Sequence, residues 1–186
     1  MEIVKANVYQ DFCNGVMSGN EVVKSVKLLK DARHFYANGD CDLDDNTVMY
    51  EVYSYSKGEA TQVGNLNWGL TVMKPVMINQ EYNMTRGHFH VDRNCAEIYF
   101  CLHGEGLLLF MDETGHCFAE EMRVGSIHHI DGRLAHRLVN TGKEELRVGA
   151  CWPSTAGHDY KQIEDHPFTV RIMEENGKVV VKEEKE

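Results

Sequence analysis

Short apolar runs recur along this chain from about residue 47 onward, and they leave few folds open to it. Each run is rich in Val, Ile, Tyr, Leu and Thr and is separated from the next by Gly, Asn or Asp residues. Runs of this kind are typical of an antiparallel sandwich or barrel. We therefore predict an all-β chain whose strands include residues 47–55, 65–73, 97–102, 106–111, 126–130, 136–140 and 145–151.

Turn-forming residues between and after these runs indicate how they are connected. Residues 112–115 and 140–143 each contain Thr and Gly beside Asp or Asn, and each is predicted to be a hairpin connection between two runs. Residues 168–181 are predicted to form a further hairpin around Asn176-Gly177. A single helical turn is predicted at residues 159–164.

The N-terminal segment fits two local structures. Its apolar residues Val22, Val23, Val26, Leu28 and Leu29 suit either an amphipathic helix or an irregular strand, and we take the helix. A chain of 186 residues is long enough for one well-buried core. We predict a single domain overall, in which residues 1–46 form an extension that packs on the barrel and residues 47–186 form the barrel with its C-terminal hairpin.

Charge and composition exclude some classes of partner. The 19 basic residues against 29 acidic residues give a formal charge of −10, which disfavours nucleic acid because that partner requires its phosphates to be neutralised. The sequence has no apolar stretch of the roughly 18 residues that cross a membrane, and no signal-peptide pattern. Its 6 cysteines include no Cys-x-x-Cys pair, so we expect buried, reduced thiols and a cytoplasmic location.

Two histidines separated by one residue suggest a site that carries chemistry. In a strand, residues two apart point to the same face, so His88 and His90 direct two imidazoles at one point. After a loop, Glu97 opens the next apolar run and offers a carboxylate oxygen. By the same alternation, Tyr99 shares its face.

A second stretch supplies one more imidazole. It consists of Gly125, His136 and Asn140, with the histidine at the start of a predicted strand. Together with the two histidines and the glutamate of the first stretch, His136 makes a site suited to Fe²⁺, Mn²⁺, Zn²⁺ or Ni²⁺. Such a set leaves coordination positions open for water or substrate, which catalysis requires.

Both stretches resemble the two motifs of the cupins, His-x-His…Glu…Gly and Gly…His…Asn. The resemblance implies a double-stranded β-helix, a jelly-roll-like barrel with minor helical content. It also implies one divalent metal ion per subunit, with Fe²⁺ preferred over Mn²⁺, Zn²⁺ and Ni²⁺. Two features depart from the common pattern: Asp131-Gly132 replaces the usual proline of the second motif, and the gap between His90 and Glu97 is longer than in most cupins.

The longer gap is similar to that of the cupin-type glucose-6-phosphate isomerases, known mainly from archaea and some bacteria. The match runs from residue 50 to residue 164. Its motifs are Tyr50-Glu51-Val52-Tyr53, Asn65-Leu66-Asn67 leading to Thr71, Thr85-Arg86-Gly87-His88-Phe89-His90, Ala96-Glu97-Ile98-Tyr99, Ala135-His136-Arg137 and Ala156-Gly157-His158-Asp159-Tyr160. Trp152 stands where a tyrosine is expected.

The resemblance implies an activity and a set of site residues. The activity is interconversion of glucose 6-phosphate and fructose 6-phosphate in glycolysis and gluconeogenesis, with mannose 6-phosphate as a possible additional substrate and a homodimer as the assembly. The metal ligands are His88, His90, Glu97 and His136. The residues that hold the sugar phosphate are Thr71, Thr85, Gly87, His158 and Tyr160, of which protonated His158 would add positive charge, and the residues that line the sugar chain are Tyr50 and Tyr99.

Glu97 has two possible roles in the reaction. As the base, it takes a proton from C2 and returns it to C1 of the open-chain sugar. A carboxylate bound to a dication is a poorer base, however, because the metal stabilises its charged form. In the alternative, Glu97 is only a ligand and a hydride shifts between the two carbons.

Other interpretations of these residues remain open. Three imidazoles and a carboxylate around iron also suit a cupin dioxygenase, and a non-catalytic sugar-phosphate-binding cupin would use the same residues without turnover. Thr71, Thr85, Tyr50 and Tyr99 are also ordinary strand residues. The histidines outside the motifs are interpreted as loop or surface residues: His34, His103, His116, His128, His129 and His166.

Overall fold

The structure is a computed structural model that describes residues 1–59 and 61–184. Strands dominate it, so the prediction of an all-β chain with minor helical content is confirmed. The helical segments of the described part are α1 (Leu29–Ala32), a 3₁₀ turn (Arg33–Phe35) and α2 (Tyr160–Asp165). The strands are β1 (Val8–Asp11), β2 (Val16–Gly19), β3 (Val23–Leu28), β4 (Val48–Ser56), β5 (Leu66–Met73), β6 (Met77–Ile78), β7 (Glu81–Tyr82), β8 (Glu97–His103), β9 (Glu105–Met111), β10 (Cys117–Arg123), β11 (Ile127–Ile130), β12 (Ala135–Val139), β13 (Leu146–Pro153), β14 (Val170–Glu175) and β15 (Lys178–Glu183).

Two antiparallel sheets form most of the wall around the main core, and the four-stranded sheet β15-β14-β7-β6 adds Ile78, Tyr82 and Ile172 to it. The large sheet has the order β11-β8-β13-β5-β4-β3, and the small sheet has the order β10-β9-β12. Met73 and Val148 of the large sheet belong to the same buried cluster as Leu108 and Phe110 of the small sheet. Each of the four is at most 1% exposed, so the inner faces of the two sheets share one core. This is the jelly-roll-like barrel that the cupin resemblance implies.

The outer face of the large sheet carries a second apolar cluster. Leu70, Val72 and Leu102 pack there with Met17 of the N-terminal β1–β2 hairpin. The hairpin therefore covers a face that would otherwise expose these side chains to water. The division of the chain at residue 46 stays a prediction. Strand β3, which lies on the N-terminal side of that point, is the edge strand of the large sheet.

The helix predicted around residues 22–29 was wrong over most of its length. Residues 23–28 form β3, which pairs with β4 from Val23 opposite Ser54 to Leu28 opposite Val48. The edge of the large sheet satisfies the backbone of this segment, and that pairing overrides a local pattern that fitted both structures. Helical structure begins only after β3, with α1 and the 3₁₀ turn that follows it.

All the predicted runs are strands in the structure. However, one further strand was not predicted, and one of the predicted hairpins is not formed. The turn at residues 112–115 joins β9 to β10, a strand that was not predicted because it is exposed along most of its length. The turn at residues 140–143 is not a hairpin, since β12 lies in the small sheet and β13 in the large one. The side chain of Asn140 holds this crossing by donating to the carbonyls of Met73 and Glu144.

The C-terminal predictions are confirmed. Residues 160–165 form α2, capped by the Asp159 carboxylate, which accepts from the Gln162 N–H at 3.1 Å. Strands β14 and β15 form a hairpin around Asn176 and Gly177, both of which have positive φ. No helix in the described ranges is long and apolar enough to cross a membrane.

Candidate active site

The four predicted metal ligands come from three different parts of the barrel. Glu97 is the first residue of β8 in the large sheet, and His136 lies in β12 of the small sheet. His88 was predicted to lie in a strand. It lies instead in an irregular segment beside β12. Its N–H donates to the carbonyl of His136 at 3.3 Å, and the His136 N–H donates to the carbonyl of His88 at 3.1 Å. Despite the absence of a regular strand, the imidazoles of His88 and His90 lie on the same side, as predicted.

The structure brings these four side chains together. One ligand atom from each of His88, His90, Glu97 and His136 lies within 4.8 Å of all the others. Glu97 Oε2 is 3.2 Å from His90 Nε2 and 3.3 Å from His136 Nε2. All four residues are at most 9% exposed, so the group lies inside the barrel rather than on its surface.

The hydrogen bonding of the imidazoles fits a cation between them. His90 Nδ1 lies 2.7 Å from the Cys95 carbonyl, which can only accept, so this nitrogen carries a hydrogen. In a neutral ring, His90 Nε2 then presents a lone pair to the Glu97 carboxylate, a contact that becomes favourable when a cation lies between the two. In addition, His88 Nε2 and His136 Nε2 are buried without a hydrogen-bond partner among the described residues. Buried polar atoms of this kind are rare unless an ion or a water satisfies them.

Protonation states favour the same interpretation. Burial lowers the pKa of His88 well below its ordinary value, and the neighbouring imidazoles lower it further, so this ring is neutral near pH 7. Burial raises the pKa of Glu97, but the close contacts of its carboxylate with the His136 and His90 rings outweigh burial, and the pKa lies below its ordinary value. A neutral imidazole beside an ionised carboxylate is the donor set that divalent first-row metals accept.

One cavity of about 450 Å³ opens beside this group. His88 and Glu97 line it, and so do all the residues for which the resemblance implied contacts with the sugar phosphate: Tyr50, Thr71, Thr85, Gly87, Tyr99, His158 and Tyr160. They come from β4, β5, β8, α2 and the irregular segments before β8 and α2. Two larger hollows, of about 1010 and 910 Å³, lie elsewhere and contain none of these residues.

Thr85 and Gly87 are held in place by their backbone surroundings. Thr85 Oγ1 accepts from the Leu138 N–H at 3.0 Å, which leaves its own hydrogen free to donate into the cavity. Gly87 has a φ of 77°, and a Cβ atom there would lie 2.8 Å from the ring of Phe168. Only glycine fits this position, which lies in the sequence between Thr85 and the predicted metal ligand His88.

A stack of rings forms one wall of the cavity. The His158 ring meets the His88 ring edge-on at 4.4 Å and lies nearly parallel to Tyr160 at 5.8 Å. The guanidinium of Arg86 lies over the Tyr160 ring, 4.4 Å from the ring centre, and forms an ion pair with Glu164. Tyr160 and Glu164 lie one helical turn apart on α2, so the helix positions this end of the wall.

The sequence analysis left the protonation state of His158 open. Burial lowers the pKa of this imidazole below its ordinary value. His158 is therefore neutral near pH 7 and does not add the positive charge expected of its protonated form. Burial also raises the pKa of Tyr50 to about 12 and that of Tyr99 well above its ordinary value, so both phenols remain hydrogen-bond donors.

Several cavity residues were missed or undervalued by the sequence analysis. Arg86 stood inside a recognised motif but was given no role. Ser25 and Lys27 were hidden because their segment was assigned to a helix, whereas alternation along β3 would have placed them on one face. The other lining residues include Val52, Ser54, Ser56 and Trp152, and the last of these was noted only as a departure from the family.

Some residues outside the site also differ from expectation. His128 is not a surface residue: it is 4% exposed, with Nδ1 2.6 Å from Glu120 Oε2 and Nε2 2.8 Å from Ser126 Oγ. Its burial follows from its contact with β10, a strand that the sequence analysis did not predict. Among the cysteines, Cys95 and Cys101 are buried, but Cys13 is exposed.

In sequence, the chain is similar to the members of one protein family. The sequence model of the family described as "Glucose-6-phosphate isomerase (GPI)" matches residues 27–186. The glucose-6-phosphate isomerase of Thermococcus litoralis is 36% identical over 177 residues, which cover 93% of this chain and 91% of that protein. The protein of the same name from Pyrococcus horikoshii is 35% identical over 92% of this chain and 90% of its own length. Among solved structures, an oxalate oxidase in complex with the substrate analogue glycolate covers 78% of this chain and 58% of its own, at a TM-score of 0.45 and 13% identity.

Proposed function

The chain belongs to the glucose-6-phosphate isomerase family, and from that premise we propose that it interconverts glucose 6-phosphate and fructose 6-phosphate in the cavity beside His88 and Glu97. The observation that carries this proposal is the convergence of two independent sets of residues. A group fit for a metal ion and the residues implied for sugar-phosphate binding border one cavity of about 450 Å³.

The residues present fit a divalent metal ion. His88, His90, Glu97 and His136 would hold it, with Fe²⁺ as the first choice and Mn²⁺, Zn²⁺ or Ni²⁺ as alternatives that this donor set also accepts. When bound, such an ion supplies Lewis-acid polarisation of the sugar carbonyl and stabilises negative charge on its oxygens, an effect worth several kcal/mol. The buried and otherwise unpaired Nε2 atoms of His88 and His136 support this assignment.

In the proposed reaction, Glu97 moves the proton. Isomerisation transfers one hydrogen between C1 and C2 of the open-chain sugar, and the difficult step is removal of a hydrogen next to a carbonyl. Glu97 is ionised and lines the cavity, so it is placed to take this proton from one carbon and return it to the other. Tyr99, a protonated phenol on the same face, is placed to donate to a sugar oxygen.

The remaining residues would hold the substrate in the reactive orientation. We assign the phosphate to Thr71, Thr85 and Gly87, which offer hydroxyl and backbone donors, and the sugar chain to Tyr50. His158 and Tyr160 would cover the substrate with the ring stack that begins at His88. Binding energy from the phosphate, which does not react, then fixes the carbons near Glu97.

Further parts of the proposal concern the protein in its cell. We assign it to glycolysis and gluconeogenesis in the cytoplasm, as a homodimer, with mannose 6-phosphate as a possible additional substrate. The dioxygenase and the non-catalytic alternatives are set aside because the chain belongs to an isomerase family.

The test follows fructose 6-phosphate in deuterated water by NMR, with metal-loaded protein. Appearance of glucose 6-phosphate supports the proposed activity, and its absence contradicts it. Deuterium at C2 of the product supports Glu97 as the base, whereas a product without deuterium favours the hydride shift or a proton shielded from solvent. Glu97→Gln should abolish turnover by either route, because it removes both a base and a charged ligand.

A further inference from the structure

Strand β3 brings a lysine to the substrate cavity from outside the predicted barrel strands. Lys27 lines the cavity and lies opposite Tyr50 of β4, which lines it as well. Three residues earlier, Lys24 lies opposite Tyr53 and places its ammonium 5.2 Å from that ring, and it also forms an ion pair with Glu51. Because side chains alternate along a strand, Lys24 is on the outer face of the sheet and Lys27 is on the inner face.

The charges around the cavity make Lys27 distinctive. Among the described residues that line it, the cations are Lys27 and Arg86, and Glu97 carries the one carboxylate. Arg86 already forms an ion pair with Glu164 and stacks on Tyr160. In the described part of the chain, Lys27 has no carboxylate within 4.0 Å, although it is half-buried. It is thus a partly desolvated cation without a partner at the edge of a cavity.

A sugar phosphate carries a dianion that this protein must attract against its own charge of −10. The donors assigned to the phosphate, Thr71, Thr85 and Gly87, are all uncharged. Thr71 lies in β5, two strands from β3, in line with Ser25 and displaced by two residues along the strands from Lys27. The backbone separation is therefore on the order of 12 Å. A flexible four-carbon stem and a phosphate group together span such a gap.

We propose that Lys27 is the cation that pairs with the phosphate of the substrate and gives the cavity its preference for a phosphorylated sugar over a neutral one. This inference rests on the proposed function. It assigns a specificity role to the segment before residue 46, whose contribution the sequence left open. Lys27 does not touch the reacting carbons, so its loss should weaken binding and leave the chemical step largely intact.

The experiment compares Lys27→Met with Lys24→Met, which removes the same charge from the outer face of the same strand. For Lys27→Met we expect the KM for fructose 6-phosphate to rise about 10- to 100-fold, as for loss of a charge-assisted hydrogen bond, with kcat changed little. The dissociation constant for inorganic phosphate, measured by calorimetry on metal-loaded protein, should rise in proportion. Lys24→Met should resemble the wild type, and Lys27→Arg should restore most of the affinity.

The outcomes separate this inference from the proposed function. If the wild type turns over fructose 6-phosphate but Lys27→Met has the KM and the phosphate affinity of Lys24→Met, the role of Lys27 is overturned and the activity stands. If the wild type shows no turnover, the proposed function fails, and the phosphate affinities still decide whether Lys27 binds an anion. Thermal unfolding checks that each variant is folded, and Lys27→Gln replaces Lys27→Met if the latter is not.

Discussion

His90 Nε2 lies 3.2 Å from Glu97 Oε2 inside the barrel, while the other nitrogen of the same ring is fixed by the Cys95 carbonyl at 2.7 Å. The carbonyl orients the imidazole before any metal binds, and it leaves the second nitrogen directed at the carboxylate. Since His90 and Glu97 are joined by a short loop and His136 comes from the opposite sheet, the site is assembled only when the barrel closes. The fold and the proposed metal centre therefore depend on each other.

Loss of one predicted ligand should remove the stability that the folded protein gains from a bound metal ion. An ion that binds only the folded protein stabilises it by about 2.7 kcal/mol at a free concentration 100 times its Kd. Thermal unfolding of the wild type is therefore expected to shift upward when Mn²⁺ is added, whereas His136→Ala should not respond and should contain less metal. His129→Ala is the control, because His129 is exposed and lies outside the group. An equal shift in His136→Ala would remove His136 from the ligand set.

Gly87 should not tolerate even one added carbon atom. A Cβ atom there would clash with Phe168 at 2.8 Å, and the positive φ adds backbone strain. Gly64→Ala is a matched control, because Gly64 has a similar φ of 80° but open space around it. Denaturant unfolding should show Gly64→Ala losing about 1 kcal/mol and Gly87→Ala losing clearly more, together with most of its activity. Equal losses in the two variants would mean that the space around Gly87 does not matter.

Glu81 should make stability depend on pH. Burial raises the pKa of this carboxyl, although the Ala37 N–H and Arg171 oppose the shift. A carboxyl whose pKa is raised in the folded state binds more protons there than in the unfolded chain, so stability falls as pH rises from the unfolded value through the folded one. Glu81→Gln cannot titrate, and we expect it to lose less stability than the wild type between about pH 4 and pH 7. Urea unfolding of both proteins across this range measures the difference, and parallel curves would contradict it.

The metal group was predictable because its information is local. The spacing of His88 and His90 predicts that both imidazoles point to one side, Glu97 follows after a short loop, and a second motif contains His136. The strand assigned to the first two histidines was wrong in form, since a bridge to β12 replaces a regular strand, yet it gave the right side for each imidazole.

Other features could not be predicted because they depend on pairing between distant segments. The face of Lys27 is determined by β4, more than twenty residues away in the chain, and the local pattern of residues 22–29 suited a helix equally well. The burial of His128 depends on β10, whose exposed residues give no apolar signal. The crossing after Asn140 resembles a hairpin turn in sequence, and only the position of β12 in the small sheet shows otherwise.

In the proposed reaction, a metal ion held by His88, His90, Glu97 and His136 is required for isomerisation of fructose 6-phosphate. The most direct measurement is a coupled assay of glucose 6-phosphate formation on protein stripped with a chelator, repeated after stepwise addition of Fe²⁺, Mn²⁺, Zn²⁺ or Ni²⁺. We expect stripped protein to be inactive and activity to return in proportion to bound metal, up to one ion per chain. Full activity in protein shown to contain no metal would contradict this account.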